Sequence, residues 1–537
     1  MSKHVSIKDF SKGKGPLTEV EHDDLIPLPP PYDKDDDTPK MEPLKEEAKD
    51  KYVELDGTIA LGLPKPKNKK EEEKLVNDFL SGLRKCFSED DNWTFLQPLE
   101  VSMEHCAKCQ TCNDACPIYL ESGKNDLYRP TFRSEIFRRI YKKYIQKKST
   151  WVHGDVDLNW KTVMRLIELS FRCNVCRRCA QTCPIGVDNA LIAREIRKIA
   201  SQEMGITARE LHKDGSELQL KVGSSTGMNT LVLMDNMEFI DEDTEEKTGI
   251  ETKTPFDVEG ADILLIHNAG EIMAWPDNVG AFTTLFNAAG LSWTMSSDLA
   301  AYDGINYGVW YDDVQFARVA LLHMQAAKKL GVKKVVLGEC GHAHKALTVI
   351  ADKVLTGDLN IPRESCFVTL LDILREGKIK FDKSRNDFPV PLHDPCNLVR
   401  LMGIVSPQRE IIEHVVPKER FREMAPHGVH NYCCGGGSGF AIMSGNNFGD
   451  WKMHMTGRRK FRQILEAFAD EDLNDPEQPK YVCAPCSNCK GQIRDILRYY
   501  NATERSGIYY SGLVELMVNA MVDAKPGYID FEEMQMG

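Results

Sequence analysis

The sequence predicts a multidomain α+β chain: a helical part built around cysteines, then an α/β part in two similar halves. Three observations carry this. The run Cys106-x2-Cys109-x2-Cys112-x3-Cys116-Pro117 returns as Cys173-x2-Cys176-x2-Cys179-x3-Cys183-Pro184, with helical periodicity around both. From about residue 259, short apolar strands alternate with helical stretches. Within that region Val336-Leu-Gly-Glu-Cys340-Gly-His-Ala343 lines up with Val482-Cys-Ala-Pro-Cys486-Ser-Asn-Cys489: a strand ends, a cysteine follows, a helix begins.

At 537 residues the chain can hold roughly two to four domains, each with its own core. A net charge of −13 argues against nucleic acid, whose phosphates want a basic surface. There are 17 cysteines, no apolar leader in the first thirty residues and no run of eighteen apolar residues. The expectation is a reducing compartment, metal ligation in place of disulfides, and no transmembrane segment of its own.

Residues 1–72 are rich in charge and proline and predict an extended or disordered arm. If the arm wraps a partner subunit, Ile59-Ala-Leu-Gly-Leu63 is its best anchor. Residues 73–211 form the predicted helical domain. A helix over 73–90 places Leu75, Phe79, Leu80, Leu83 and Phe87 on one face, and Cys86 in it should only pack. The stretch Arg133–Lys148 reads as a helix with Ile136, Ile140 and Tyr144 inward and a solvated basic face. Docking of that face to an acidic protein or a lipid edge is the sharper alternative. Residues 212–258 read as an acidic linker, 259–378 as the first α/β half and 379–537 as the second. Strands are expected at 262–267, 334–338, 390–393 and 480–483. Helices are expected at 279–289, 313–330, 343–355, 408–415, 450–468 and 488–500.

The repeated four-cysteine run is the one that holds [4Fe–4S] cubanes in two-cluster ferredoxins, where the fourth cysteine of each run crosses to the other cluster. It predicts one cubane on Cys106, Cys109, Cys112 and Cys183, and a second on Cys173, Cys176, Cys179 and Cys116. Structural zinc needs only paired CxxC units and is the weaker reading. Downstream, His393-Asp-Pro-Cys396, Cys433-Cys434-Gly435 and Cys486-x2-Cys489 bring five thiols from three segments. Thiolates are soft ligands that favour iron–sulfur groups or zinc. Cys340 and Cys483 are further candidates for this site. Gly435-Gly-Gly-Ser-Gly439 lacks the GxGxxG pattern and the Walker lysine, so close backbone approach is its expected role. No flavin or nicotinamide site is expected. In the first half, Ser296–Gly304 stands where a Cys-Cys-Gly would be, and Ala343 replaces Cys489. That half is read as a degenerate copy without its own cluster.

The cysteine runs, His393-Asp-Pro-Cys-Asn-Leu-Val-Arg400, Tyr432-Cys-Cys-Gly-Gly-Gly437, Cys486-Ser-Asn-Cys489 and Val514-Glu-Leu516 together resemble the heterodisulfide-reductase-like iron–sulfur oxidoreductases. The resemblance spans roughly residues 95–525. It is strongest to the subunit of this kind in the membrane complex of dissimilatory sulfite reduction. It implies a two-[4Fe–4S] ferredoxin domain, a CCG catalytic domain and a catalytic cluster of non-cubane type. It also implies a peripheral place on the cytoplasmic face of the membrane, beside a haem b quinol-oxidising membrane subunit. The implied substrate is a disulfide or trisulfide on a small sulfur-carrier protein.

Splitting a disulfide takes two electrons, and a cubane delivers one. Five thiols where four suffice are read as a centre able to keep one sulfur fragment until the second electron arrives. Cys396, Cys433, Cys434, Cys486 and Cys489 are its expected ligands, and His393, His342 and His344 are candidates to protonate the leaving thiolate. The competing reading is a pure electron conduit, the iron–sulfur subunit of a flavin-dependent glycolate, lactate or glycerol-3-phosphate dehydrogenase.

Overall fold

A computed structural model describes residues 4–35, 37–445 and 447–536, and in it the chain folds as two compact units. The first comprises Met1–Leu211, Trp310–Asp313 and Tyr432–Lys460; the second comprises the remainder. No helix among the described residues is long and apolar enough to cross a membrane.

The first unit is helical. Asn68 caps the helix Lys69–Cys86, accepting from the Glu71 amide at 3.0 Å, and Phe79, Leu83 and Cys86 face inward. It packs on the helix Asn189–Met204, and a Cβ on Gly82 would stand 2.7 Å from Ile199, so the crossing needs a glycine there. The longer helix starts at Asp188, whose carboxylate accepts from the Ala190 and Leu191 amides, and stops at left-handed Gly205.

The proline-rich arm belongs to this unit. Proline prevents long helices here but leaves the chain free to run along a surface. Phe10, Leu17, Leu28, Tyr32 and Leu63 are buried. Arg165 donates to the carbonyls of Lys14 and Gly15, each at 2.8 Å, and Arg458 donates to Ile26 at 2.8 Å. The arm carries the short helices Ile7–Ser11 and Glu46–Lys49, and these contacts hold it on the unit.

The basic stretch also differs from expectation. In the helix Pro130–Ile140, Arg133 and Arg138 are buried, not solvated.

The second unit holds two parallel four-stranded sheets. The first contains β1 (Ile263–Ile266), β2 (Trp293–Thr294), β3 (Lys334–Leu337) and β4 (Arg363–Ser365) in the order β2-β1-β3-β4. The second contains β5 (Val390–Leu392), β6 (Phe421–Glu423), β7 (Lys480–Cys483) and β8 (Ile508–Ser511) in the order β6-β5-β7-β8. The strand order is the same in both. Apart from Lys334 and Lys480 at their starts, the central strands are apolar, as in parallel sheets covered on both faces. One core contains Phe282, Leu370, Val390, Tyr481 and Leu516, so both sheets contribute to it. After β3, the Glu339 carboxylate accepts from the amides of Leu513 (2.9 Å) and Val514 (3.1 Å), which pins the helix Val514–Ala520.

Residues 212–258 are not a linker. They contain the helix Thr230–Thr248, capped by Asn229, with Leu233, Met237, Ile240 and Thr244 turned inward at helical spacing. The acidic residues that suggest a loop lie on its other faces.

Candidate iron–sulfur and thiol sites

Each four-cysteine run wraps a concave loop. In both, the residues flanking the second cysteine are left-handed: Lys108 (φ 56°) and Gln110 (φ 64°), then Val175 (φ 47°) and Arg177 (φ 60°). For Val175, β-branched, this conformation is a genuine outlier. Strain repeated at matched positions points to loops shaped for a bound group.

One cavity is lined by Cys106, Cys109, Cys112 and Cys183, and another by Cys116, Cys173, Cys176 and Cys179. The fourth cysteine of each run thus lies with the first three of the other. Burial pushes the Cys112 thiol up to about 11, and Cys106 and Cys183 beside it add to the shift. Burial likewise pushes Cys116 up to about 12, with Cys173 and Cys176 contributing. Crowded buried thiols are poor as free thiolates and suit coordination to a cation. The second cavity is also lined by Arg133, Arg172, Arg177 and Arg178, which suits a group that is anionic overall. The residues therefore fit two four-iron cubes.

The Cys-Cys-Gly loop lies in the same unit as these cavities. The Tyr432 ring sits between two guanidinium groups, Arg178 at 4.2 Å and Arg459 at 4.7 Å from its centroid. Cys433 and Cys434 are buried. The Asn174 side-chain amide donates to the Gly435 carbonyl at 2.7 Å. Gly435 is left-handed (φ 106°), and a Cβ there would stand 2.7 Å from the Gly457 amide nitrogen. A Cβ on Gly437 would lie 3.2 Å from the Asn174 carbonyl and 3.5 Å from the Cys433 sulfur. Glycine is required for close approach to the segment that follows Cys173.

In the second unit the remaining thiols stand beyond the carboxyl ends of strands, where parallel sheets bind ligands. His393-Asp-Pro-Cys396 follows β5, and Cys486 follows β7 and caps the helix Ser487–Tyr499, which carries Cys489 in its first turn. Cys340 follows β3. The Gly341 amide donates to the Cys486 sulfur at 3.3 Å, and a Cβ on Gly341 would lie 3.7 Å from Pro395. The segments around Cys340, Cys396 and Cys486 therefore meet. Asp394 takes a bidentate pair from Arg409 (2.9 and 2.8 Å) and the Gly428 amide (2.6 Å). Arg400 donates to the carbonyls of Val429 (3.0 Å) and Asn431 (2.8 Å). Asn431 in turn faces His393 at 3.5 Å. Asp394 and Arg400 thus hold the segment that ends at Asn431.

Three candidates change role. His342 is fully buried, its Nε2 engages the Asn306 backbone, and burial pushes it down to about 3. His344 bonds the Cys340 carbonyl and the Ser365 hydroxyl, each at 2.8 Å, and burial pushes it down to about 4. Burial thus disfavours the charged form of both imidazoles. Cys483 lies inside β7 in the apolar core, with Glu339, Glu515, Lys490 and Asp394 as its charged neighbours and no thiol among them. Its position is that of a packing residue. Asn174, Arg133, Arg138 and Arg197 were not legible as site residues, because neither a spacer asparagine nor a helical arginine carries a local signal.

Residues 102–187 match the 4Fe-4S dicluster domain, and residues 390–494 match the cysteine-rich CCG domain. The chain is 26% identical to the Hdr-like menaquinol oxidoreductase iron–sulfur subunit 2 of Archaeoglobus fulgidus, over 79% of this chain and 80% of that protein. It is 24% identical to a subunit of the dihydromethanophenazine:CoB–CoM heterodisulfide reductase of Methanosarcina barkeri, over 80% of this chain and 96% of that protein. Over most of its length the chain is thus similar to Hdr-like iron–sulfur oxidoreductases. The Hdr-like menaquinol oxidoreductase iron–sulfur subunit of Archaeoglobus profundus is 27% identical over 82% and 86%. The dicluster match spans both four-cysteine runs, and the CCG match spans Cys396, Cys433, Cys434, Cys486 and Cys489.

Proposed function

We propose that this protein is the iron–sulfur subunit of a membrane-associated electron-transfer complex and that it reduces a sulfur–sulfur bond. In this reading Cys106, Cys109, Cys112 and Cys183 hold one [4Fe–4S] cubane, and Cys173, Cys176, Cys179 and Cys116 hold the second. Cys396, Cys433, Cys434, Cys486 and Cys489 hold a third, catalytic cluster of non-cubane type. When bound, these groups supply one-electron transfer to a bond whose reduction consumes two electrons and two protons.

The observation that carries the reading is the Asn174–Gly435 hydrogen bond. Asn174 follows Cys173 in the chain, and Gly435 follows Cys434. A cubane cradle and the Cys-Cys pair are joined by one short contact, which suits stepwise electron delivery. Asp394 and Arg400 hold the segment Gly428–Asn431. His393, buried at the end of β5, is the histidine retained for proton delivery. The common strand order of the two sheets supports an ancestral duplication in which the second half kept the thiols.

The finer assignment follows resemblance: DsrK, the K subunit of the DsrMKJOP complex of dissimilatory sulfate and sulfite reduction. Electrons then come from menaquinol through a haem b membrane subunit of the DsrM kind. The substrate is a disulfide or trisulfide on a small sulfur carrier of the DsrC kind, at the cytoplasmic face. The relatives' names support a quinol donor and a disulfide acceptor.

Anaerobic purification tests this. About twelve irons per chain are expected from three four-iron groups. A thiol substrate added to oxidised protein should give a new paramagnetic signal that Cys434→Ala abolishes. No such signal, together with a copurifying flavin dehydrogenase, would replace the reading with the conduit.

A further inference from the structure

Arg197 lies in the middle of the helix Asn189–Met204 and is fully buried. Its Nε and Nη2 donate to the Ser170 carbonyl at 3.0 and 2.7 Å, and Nη2 also donates to the Cys173 carbonyl at 2.6 Å. Nη1 donates to the Ser438 hydroxyl and, at 3.3 Å, to the Ser438 carbonyl. The guanidinium lies over the Phe171 ring, 4.7 Å from its centroid. Its hydrogen-bond acceptors among the described residues are all neutral.

A buried cation without an anion is costly. Burial works against this charge, and the cationic Arg133 and Arg194 oppose it as well. By contrast, Arg194 and Lys198 on the same helix both pair with the Asp313 carboxylate, and both pair with Glu195. The chain could have balanced Arg197 in the same way and does not. A cube held by four thiolates is a net anion and becomes more negative by one charge on reduction. Such a group at Cys173 supplies the missing counter-charge.

We propose that Arg197 is a positioning residue that raises the reduction potential of the cubane at Cys173 and clamps the Cys-Cys-Gly loop to that cradle. Nearby positive charge and hydrogen bonding are among the factors that set such potentials. One end of the guanidinium holds the Cys173 backbone and the other holds Ser438, four residues after Cys434. Arg138 is the counterpart for the other cradle. It donates to the Ser102 carbonyl at 2.9 Å and to the Asn189 side-chain oxygen at 3.4 Å, and Asn189 lines the cavity of Cys106, Cys109, Cys112 and Cys183.

The inference rests on the two-cubane part of the proposed function, and its test separates the two. Purified holoprotein with its partner subunits is titrated with a reductant while its paramagnetic signals are recorded. Arg197→Gln is expected to move the midpoint of one cubane signal to more negative potential. Arg138→Gln is expected to move the other signal and leave the first in place. Arg197→Lys keeps the charge but cannot span both ends of the clamp. It should keep the wild-type midpoint and slow reoxidation of the second cubane by oxidised substrate several-fold. If Arg197→Gln moves neither signal, or both equally, the inference is overturned. If Arg197→Gln does not accumulate with iron, Arg197→Lys decides: slowed reoxidation supports the clamp, and wild-type reoxidation overturns it. Wild-type protein lacking two cubane signals would instead overturn the functional reading.

Discussion

Asn174 and Gly435 are 261 residues apart in sequence, yet the side chain of one donates to the carbonyl of the other at 2.7 Å in a buried position. The same carbonyl takes a weaker bond from Thr456 at 3.3 Å. Asn174→Ala should therefore cost about 1 kcal/mol of stability, because one donor remains. Asn174→Asp should cost more, since a carboxylate would face a carbonyl oxygen. Both variants should keep two cubane signals and reoxidise the second several-fold more slowly on adding oxidised substrate. Stopped-flow absorbance would measure this, and wild-type kinetics in both would sink the idea that this contact couples the sites.

The arrangement of thiols gives a sharper test of ligation. Cys183 lines the cavity of the first run and Cys116 that of the second. Cys183→Ala should thus damage the same paramagnetic signal as Cys109→Ala, and Cys116→Ala the same signal as Cys176→Ala. Iron content should fall by about four per chain in each case if the cube is lost, or by about one if it is retained as a three-iron group. Pairing within runs, with Cys183→Ala matching Cys176→Ala, would contradict the crossed geometry.

Arg400 makes a third prediction. It holds the carbonyls of Val429 and Asn431, and Asn431 leads into Tyr432 and the Cys-Cys pair. Arg400→Met removes both bonds while keeping much of the side-chain volume. Two buried carbonyls left short of donors should cost about 2–6 kcal/mol, at about 1–3 kcal/mol per group. The expected outcome is loss of the substrate-linked signal with both cubane signals intact. Loss of the cubanes as well, measured as iron content, would show that the residue serves the whole fold.

These residues also show what was legible in the sequence. The central strands β1, β3, β5 and β7 are short, mostly apolar runs, and their positions follow from composition. The edge strands β2, β4 and β6 are two or three residues long, and β4 and β6 are charged, so they exist only because a neighbour pairs with them. The segment expected as one helix over 343–355 is a continuous helical stretch over 341–353 whose pitch widens at Lys345–Ile350 and tightens at Ala351–Lys353. The thiols were legible because ligand spacing is local. Arg197 and Asn174 were not, because their role depends on contacts with Ser438 and Gly435, more than two hundred residues away in sequence. The proline-rich arm reads as disordered for a similar reason: the residues that hold it, such as Arg165 and Arg458, lie far along the chain.

The buried histidines predict a dependence on pH whose sign can be worked out. His342 and His344 ionise near 3 and 4 when folded, against 6.5 unfolded. Below 6.5 the unfolded chain binds protons that the folded chain refuses. Their contribution to stability is complete above 6.5 and is lost as pH falls towards 4, at up to about 1.4 kcal/mol per pH unit for each histidine. Glu339 opposes them. Burial raises it to about 7 from 4.5, so its contribution is complete below 4.5 and is lost as pH rises through 7. Between 4.5 and 6.5, two histidines outweigh one carboxyl, and the net effect of these three is a protein less stable in acid. Urea midpoints at pH 5.5 and 7.5 should show the difference, and His344→Gln, which keeps a polar group but cannot titrate, should reduce it by roughly half of the histidine share. The pH profile of activity should carry no inflection near 6.5 that either His342→Gln or His344→Gln removes. Such an inflection would restore one of them as the proton donor and displace His393.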